Sequence, residues 1–442
     1  MSAMAKIDLQ AGNRVTGSDL RPNDLTEELA RMGAVLYKGH SRENIDPGTD
    51  IVVRTTCIRD DNPEVLRAKD LGLRIVPRGR VLRDLLERSG FSVAVTGTHG
   101  KTTTSALISH ITEKCGRDPT VVLGGEVELF GGNAKTGKSG LAVAEVDESD
   151  GYFRNVSSTA AVVTNIEREH MEHYASFDDL LSAYREFMEK VSPEGFLALN
   201  GEDPLASALA SSSRAQNVTF GIDGSFDVTC AGYSCGRSIE FTLVSGGREL
   251  AGISSPLIGR YNVMNILGAV SVCLRLGIDA GDIASAVSSF NGVRRRFDRV
   301  GRIGGIEVIE DYAHHPTELR SVIKAAREYG RGRVVTVFQP HRFSRTRDLM
   351  KEFSESFYDT DLLILTDIYS ADEDPSRKIQ IHQMRDAIDA ARLKSLDVIE
   401  KEAIPEFISG IVEDDDTVLV LGAGDIRDIA GGIVEKIRAK RT

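Results

Sequence analysis

The run Thr96-Gly97-Thr98-His99-Gly100-Lys101-Thr102-Thr103 carries the residue types that hold a triphosphate. A glycine turn aims backbone N–H groups at phosphate oxygens, and a helix opening behind it adds the positive end of its dipole. In that arrangement Lys101 reaches the β- and γ-phosphates and the Thr102 hydroxyl sits on Mg2+. The general phosphate-loop pattern has a further glycine five residues before the Gly-Lys pair. Val95 stands there, so the match reduces to Gly97-x-x-Gly100-Lys101-Thr102. The competing reading is an ordinary glycine turn with a surface lysine. The flanks weigh against it: Val93-Ala94-Val95 reads as a buried strand, and Ser105–Ile111 has the apolar spacing of a helix.

Other polar residues stand where strands should end. Glu145 closes the strand Leu141–Val146, and His170 follows the strand Ala160–Thr164. Strand ends on one edge of a parallel sheet meet in one crevice. Lys101, Thr102, Glu145 and His170 can therefore converge, with the carboxylate and the imidazole as ligands for Mg2+ or Mn2+ beside phosphates. Taken singly, Glu145 is a surface acid and His170 a helix-cap residue. Asn262 and Asn265 lie three apart at the start of a helix. They suit either an adenine or metal-bound group, or simple N-capping. Arg296, in Arg294-Arg295-Arg296-Phe297, can spread a planar guanidinium over a transferring phosphoryl group, or belong to a solvated basic linker. The loops Asp311–Glu318 and Gln339–Thr346 bring Tyr312, His314, His341, Arg342 and Arg345 to two neighbouring strand ends. That is a fitting place for a small anionic substrate, since Arg pairs with carboxylate through two parallel bonds. Gly422-Ala423-Gly424 is half of a dinucleotide fingerprint and reads better as a tight strand-to-helix turn.

Positioning these residues takes alternating strands and helices. The pattern runs in three blocks, 1–90, 91–297 and 298–442, each predicting a mainly parallel α/β sheet flanked by helices, with antiparallel edge strands between 218 and 258. The chain has 442 residues and a formal net charge of −12. Such a charge disfavours nucleic acid or an anionic membrane as partner. Its five cysteines are scattered without zinc spacing and are expected to be reduced, in a cytoplasmic protein with no signal peptide.

The ordered set GTHGKTT, DESD, TNIEREHMEHY, GRYNVMN, RRF, DYAHHPTE, QPHRFSRTRD and GAGDI resembles the Mur ligases over essentially the whole chain. The resemblance implies three domains, for a UDP-sugar, for ATP and for an amino acid, and a monomer or homodimer. It implies that ATP phosphorylates the carboxylate of UDP-N-acetylmuramate and that the amine of L-alanine attacks the acyl phosphate, in peptidoglycan synthesis. It places the residues 97–103 with Asn262 and Asn265 at ATP. Thr102, Glu145 and His170 fall at the metal, and Arg296 and Asp311 complete the catalytic set with Lys101. Ser18, Asp19, Tyr312, His314, His341, Arg342 and Arg345 fall at the substrates. Such chemistry needs positioning and charge neutralisation more than a protein nucleophile.

The chain departs from the family pattern in places. Tyr261 replaces the usual His of GRHN, which keeps a ring and a polar tip. Ser182-Ala183-Tyr184-Arg185 stands where the branches adding later residues carry a lysine, which matches the alanine-adding branch. A ligase that attaches a whole tripeptide to the same sugar, and a truncated non-catalytic nucleotide-binding paralogue, are the alternatives. DESDGYF at 147–153 weighs against the first; Lys101, Glu145, His170 and Asp311 weigh against the second. Finally, Met1-Ser2-Ala3-Met4 resembles only the tail of the family's GxGGxGM-type loop, which meets the UDP diphosphate. Supplying the family's preceding strand and loop is expected to lower KM for the UDP-sugar about tenfold, on the order of 1.4 kcal/mol. Initial rates with and without the extension measure this, and an unchanged KM would show the short start to be sufficient.

Overall fold

A computed structural model describes residues 1–171, 173–371, 373–374, 376, 378–388 and 393–441. The chain packs as two compact units. One comprises Met1–Ala231, Thr242–Gly252 and Met264–Val287; the other comprises Gly232–Phe241, Ile253–Val263 and Ser288–Thr442.

In the first unit, the opening block makes two separate parallel ribbons rather than one sheet. Strands β1 (Thr16–Asp19) and β2 (Val35–Lys38) pair with each other, as do β3 (Ile51–Arg54) and β4 (Arg74–Pro77). Ten further strands share a sheet. They are β5 (Phe91–Thr96), β6 (Thr120–Val127), β7 (Gly132–Lys135), β8 (Leu141–Glu145), β9 (Ser158–Val163), β10 (Val191–Asn200), β11 (Gln216–Phe220), β12 (Val228–Cys235), β13 (Ile239–Ser245) and β14 (Arg248–Ser255). Their order is β14-β13-β12-β11-β10-β9-β5-β8-β6-β7. β5 lies at the centre, parallel to β8 and β9. Val93, Ala94 and Val95 are wholly buried, as a strand covered on both faces requires. The expected antiparallel edge differs at its start, because β11 and β12 continue the same sheet in parallel.

The helix Lys101–Lys114 follows β5 and is buried from Thr102 to Thr112. A buried helix rich in Ser and Thr must satisfy their hydroxyls, and here they turn back onto its own carbonyls. Ser109 donates to Ser105 O at 2.7 Å and Thr112 to Ile108 O at 2.7 Å. The helix Phe177–Glu189 is capped by Ser176, with Asp178 and Asp179 in its first turn. It buries Leu180, Ala183, Tyr184, Phe187 and Met188 at helical spacing. Phe153 meets Tyr184 edge-on at 5.0 Å and stacks on Phe187 at 5.7 Å, which anchors the segment after β8 to this helix.

The second unit holds β15 (Asp298–Ile303), β16 (Ile306–Asp311), β17 (Val334–Phe338), β18 (Leu362–Leu365), β19 (Ser395–Val398) and β20 (Thr417–Leu421), in the order β15-β16-β20-β17-β18-β19. Only β15 runs antiparallel to its neighbour. Separate apolar clusters cover its two faces, one with Leu319, Phe338 and Phe353, the other with Val337, Ile408 and Ile433. The loops leaving the C-terminal ends of β16, β20, β17 and β18 are therefore neighbours on one edge, where ligands of open parallel sheets bind.

Candidate active site

In the first unit the phosphate turn is held in shape by the segment after β9. Thr98 N–H donates to Asn165 O at 3.0 Å, and His99 N–H donates to Asn165 Oδ1 at 2.8 Å. The side chains of Thr164 and Asn165 both donate to His99 O, at 2.6 and 2.9 Å. Glu167 N–H donates to Thr98 Oγ1 at 2.8 Å. Gly97 and Gly100 have φ of 131° and 82°, which L side chains rarely adopt. A Cβ at Gly97 would lie 2.1 Å from Thr164 Oγ1, and one at Gly100 would lie 2.3 Å from Asn265 Oδ1. Asn265 also accepts from Thr104 Oγ1 at 3.3 Å, so it supports the turn from below.

Lys101 lies on the floor of this turn. Its ammonium donates to Gly97 O at 2.6 Å and Thr98 O at 3.1 Å, and pairs with Glu148 Oε2 at 2.8 Å. Burial opposes its charge, but Glu148, Asp147 and Glu145 outweigh that and hold its pKa above the ordinary lysine value. Asp147 is half-buried; desolvation opposes its charge too, yet Lys101, His170 and Arg78 draw its pKa down to about 2. Burial pushes Glu148 the other way. His170 Nε2 lies 3.6 Å from Glu148 Oε1, on a residue with φ of 58°. Oxygen and nitrogen atoms of Asp147, Glu148 and His170 come within 4.8 Å of one another, close enough to share a cation.

The structure thus gathers Gly97, Thr98, His99, Gly100, Lys101, His170 and Asn265. Thr102 and Thr103 are buried in the first turn of the helix behind. Glu145 adds its field to Lys101, while its Oε2 accepts from Gly124 N–H at 2.8 Å. Glu148, which pairs with the lysine, was not singled out from the sequence. Its place in DESD just past a strand end was the available signal.

Ser18 and Asp19 lie at the end of β1. Ser18 Oγ donates to Glu64 Oε2 at 2.7 Å, and Asp19 Oδ1 accepts from Arg21 N–H at 2.8 Å. A cavity of about 650 Å3 opens elsewhere in the unit, lined by Arg54, Thr55, Thr56, Arg59, Arg78 and Asp150 among others. Sequence reasoning missed these residues. Arg78 Nη2 lies 3.9 Å from Asp147 Oδ2, which links the cavity wall to the acidic cluster.

The second unit brings the other predicted residues together. Asp311 is buried at the end of β16, with Oδ2 accepting from Phe297 N–H and Oδ1 from Ala313 N–H, both at 2.7 Å. One carboxylate thereby ties the arginine turn to the histidine loop. Arg295 and Phe297 have φ of 63° and 50°, a conformation this clamp helps to hold. The Arg295 and Arg296 guanidiniums lie over the Tyr312 ring at 4.7 and 5.1 Å. Tyr312 meets His314 at 5.2 Å, and His314 meets His341 at 5.9 Å. Arg345 Nη1 reaches His341 Nδ1 at 3.2 Å, and Arg342 has φ of 73°. Asn262 lies in this unit, in the first turn of the helix Arg260–Arg275, and donates from Nδ2 back to Ile258 O at 2.8 Å. Tyr261 is half-buried against the core. Burial first, then Asp311, raises its pKa.

A parallel α/β sheet with a lysine-bearing phosphate turn, joined in one chain to a second parallel sheet with an Arg- and His-lined edge, defines a nucleotide-dependent ligase class. Comparison with known proteins narrows this. The family model described as Mur ligase middle domain matches residues 95–273; that for the Mur ligase glutamate ligase domain matches 295–424; that for the Mur ligase family catalytic domain matches 1–89. A curated UDP-N-acetylmuramate–L-alanine ligase from Anaeromyxobacter sp. is 37% identical, over 96% of this chain and 93% of its own. One from Geobacter sulfurreducens is 37% identical, over 100% and 96%. The crystal structure of the UDP-N-acetylmuramate–alanine ligase from Thermotoga maritima superposes with a TM-score of 0.85 at 30% identity, covering 100% of this chain and 97% of that one. A murein peptide ligase from Psychrobacter arcticus, with a TM-score of 0.73 at 20% identity, shares the fold. The chain belongs to the Mur ligase family, and its architecture is the family's three-domain α/β fold.

Asp311 makes stability depend on pH. Burial outweighs Arg296 and the two amide donors and raises its pKa to about 6. A raised carboxyl stabilises the fold fully below about pH 4 and loses that contribution as pH rises through 6. Asp311→Asn cannot titrate. The stability advantage of the unsubstituted protein over this variant should therefore shrink between pH 4 and 6, as denaturant titrations will measure. A constant difference would place the carboxyl in its ordinary range.

Proposed function

We propose that this chain joins L-alanine to the carboxylate of UDP-N-acetylmuramate at the expense of ATP, in peptidoglycan precursor synthesis in the cytoplasm. The observation that carries this reading is the largely buried Lys101 ammonium on its stapled glycine turn, beside Asp147, Glu148 and His170. It stands in a chain that matches curated alanine-adding relatives over nearly its whole length. Residues 1–90 serve the UDP-sugar, 91–297 ATP, and 298–442 the amino acid.

The chemistry proceeds in two transfers. A carboxylate oxygen of the sugar takes the γ-phosphoryl group and ADP leaves. The alanine amine then attacks the carbonyl carbon; the tetrahedral adduct loses a proton and expels phosphate, leaving an amide. Lys101 exchanges Glu148 for a phosphate oxygen, and its own charge is secured by the surrounding acids. Gly97, Thr98, His99, Gly100, Thr103 and Asn265 shape the nucleotide site, with Asn262 assigned there by motif. Thr102, Glu145 and His170 would hold Mg2+ or Mn2+, and the half-buried Asp147 and buried Glu148 beside them suit a divalent cation there. Such a cation would supply charge neutralisation on the triphosphate. The Arg54, Thr55 and Arg78 cavity suits a diphosphate and sugar, with Ser18 and Asp19 near the strand ends. Arg296, Asp311, Tyr312, His314, His341, Arg342 and Arg345 form the acceptor side, where guanidiniums suit the alanine carboxylate.

The test is phosphate release with UDP-N-acetylmuramate, ATP and Mg2+, run against L-alanine, glycine, L-serine and the tripeptide. Stimulation by L-alanine is expected; stimulation by the tripeptide alone would overturn the acceptor assignment. In the same assay Lys101→Ala should lose about a hundredfold or more in turnover. Its melting should remain cooperative, because Glu148, already pushed up by burial, takes a proton in place of its partner. Near-normal turnover would remove Lys101 from the chemistry.

A further inference from the structure

Three loops leave adjacent strand ends in the second unit, and Tyr369 stands where they meet. Its N–H donates to Pro340 O at 2.9 Å, and its carbonyl accepts from Arg342 N–H at 2.7 Å. These bonds make a parallel bridge between His341 and Tyr369, joining the loop after β17 to the loop after β18. The Tyr369 ring stacks on the His341 imidazole with centroids 5.5 Å apart and planes 15° apart. Behind it runs the loop after β20. A Cβ built on Gly424 would lie 2.7 Å from Tyr369 Cγ, so only glycine lets that backbone come so close. The tyrosine ring is thus gripped between an imidazole and a glycine.

What Tyr369 holds is a ring of defined protonation. Arg345 Nη1 lies 3.2 Å from His341 Nδ1 and donates to His341 O at 3.1 Å. A guanidinium only donates, so Nδ1 is the acceptor and the ring proton sits on Nε2. Arg345 sets the tautomer; the stack against Tyr369 sets the plane. His314 meets the same imidazole at 5.9 Å with planes 67° apart. Rotation of His341 would break the stack.

We propose that Tyr369 is a positioning residue of the acceptor site. It fixes the plane in which His341 presents its Nε2–H donor to the carboxylate of a small α-amino acid. The inference rests on the reading of His341 as an acceptor-side contact. It assigns to Tyr369 a role exerted by its ring and not by its backbone, which every substitution retains.

The experiment compares Tyr369→Phe, Tyr369→Leu and His341→Ala in the full-length protein, with KM for L-alanine, KM for ATP and kcat measured for each. Tyr369→Leu should raise KM for L-alanine about tenfold while KM for ATP stays within about twofold. Tyr369→Phe keeps the flat ring and should restore KM for L-alanine. The split between the two KM values separates positioning from general loss of structure, which would lower the active fraction without moving either. If His341→Ala raises KM for L-alanine and Tyr369→Leu does not, the positioning role is wrong and the acceptor reading stands. If His341→Ala leaves that KM unchanged, the acceptor reading itself fails.

Discussion

A charged ammonium largely withdrawn from water is the constraint around which the first unit is built. Removing such a group from water is costly unless opposite charge and hydrogen bonds surround it. Lys101 has two backbone carbonyls and the Glu148 carboxylate within bonding distance, and feels Asp147 and Glu145 as well. Those carbonyls, Gly97 O and Thr98 O, point inward only because the turn takes left-handed φ at Gly97 and Gly100. The turn keeps that shape because Thr164 and Asn165 bond it from the neighbouring strand end. Sheet order, turn conformation and charge balance are therefore one dependency.

Much of this could be read from the sequence because strand–turn–helix is a local pattern. The apolar run of β5, the glycines and the helical spacing after Lys101 lie within a few residues of each other. Glu145, His170, Asp311 and His341 were legible for a related reason, since polar residues just past apolar runs fall on one edge of a parallel sheet. Partners were harder to see. Glu148 sits three residues beyond Glu145, and only the path of the chain after β8 decides which acid meets the lysine. Asn262 and Asn265 looked equivalent at helical spacing, yet one ties back to the Ile258 carbonyl before its helix and the other supports the phosphate turn. Tyr369 was invisible because its importance comes from the order β20-β17-β18, which places three distant loops side by side. The lining of the 650 Å3 cavity was missed because Arg54 and Arg78 flank short strands whose parallel pairing gives little periodic signal.

The second unit solves a different problem with similar means. Its edge concentrates guanidiniums and imidazoles, which repel when charged and must be spaced. Aromatic rings do the spacing, from Tyr312 under two arginines, through His314 and His341, to Tyr369. Asp311 supplies a buried negative charge at the base, accepting two amides. Tyr261 lies close enough to feel that charge, so the residue standing in the usual histidine's place is part of the same electrostatic neighbourhood.

The braces on the phosphate turn arrive late in the chain. Asn165 follows His99 by 66 positions, and Asn265 follows Thr104 by 161. During synthesis the turn emerges first, with its lysine and glycines in place and nothing to hold them. Closing such long loops is entropically slow, so competence to bind nucleotide is acquired only after more than half the polypeptide has been made. A nascent fragment would carry the signature residues and still lack the grip, which makes ligand capture a late readout of tertiary folding and not of the motif itself.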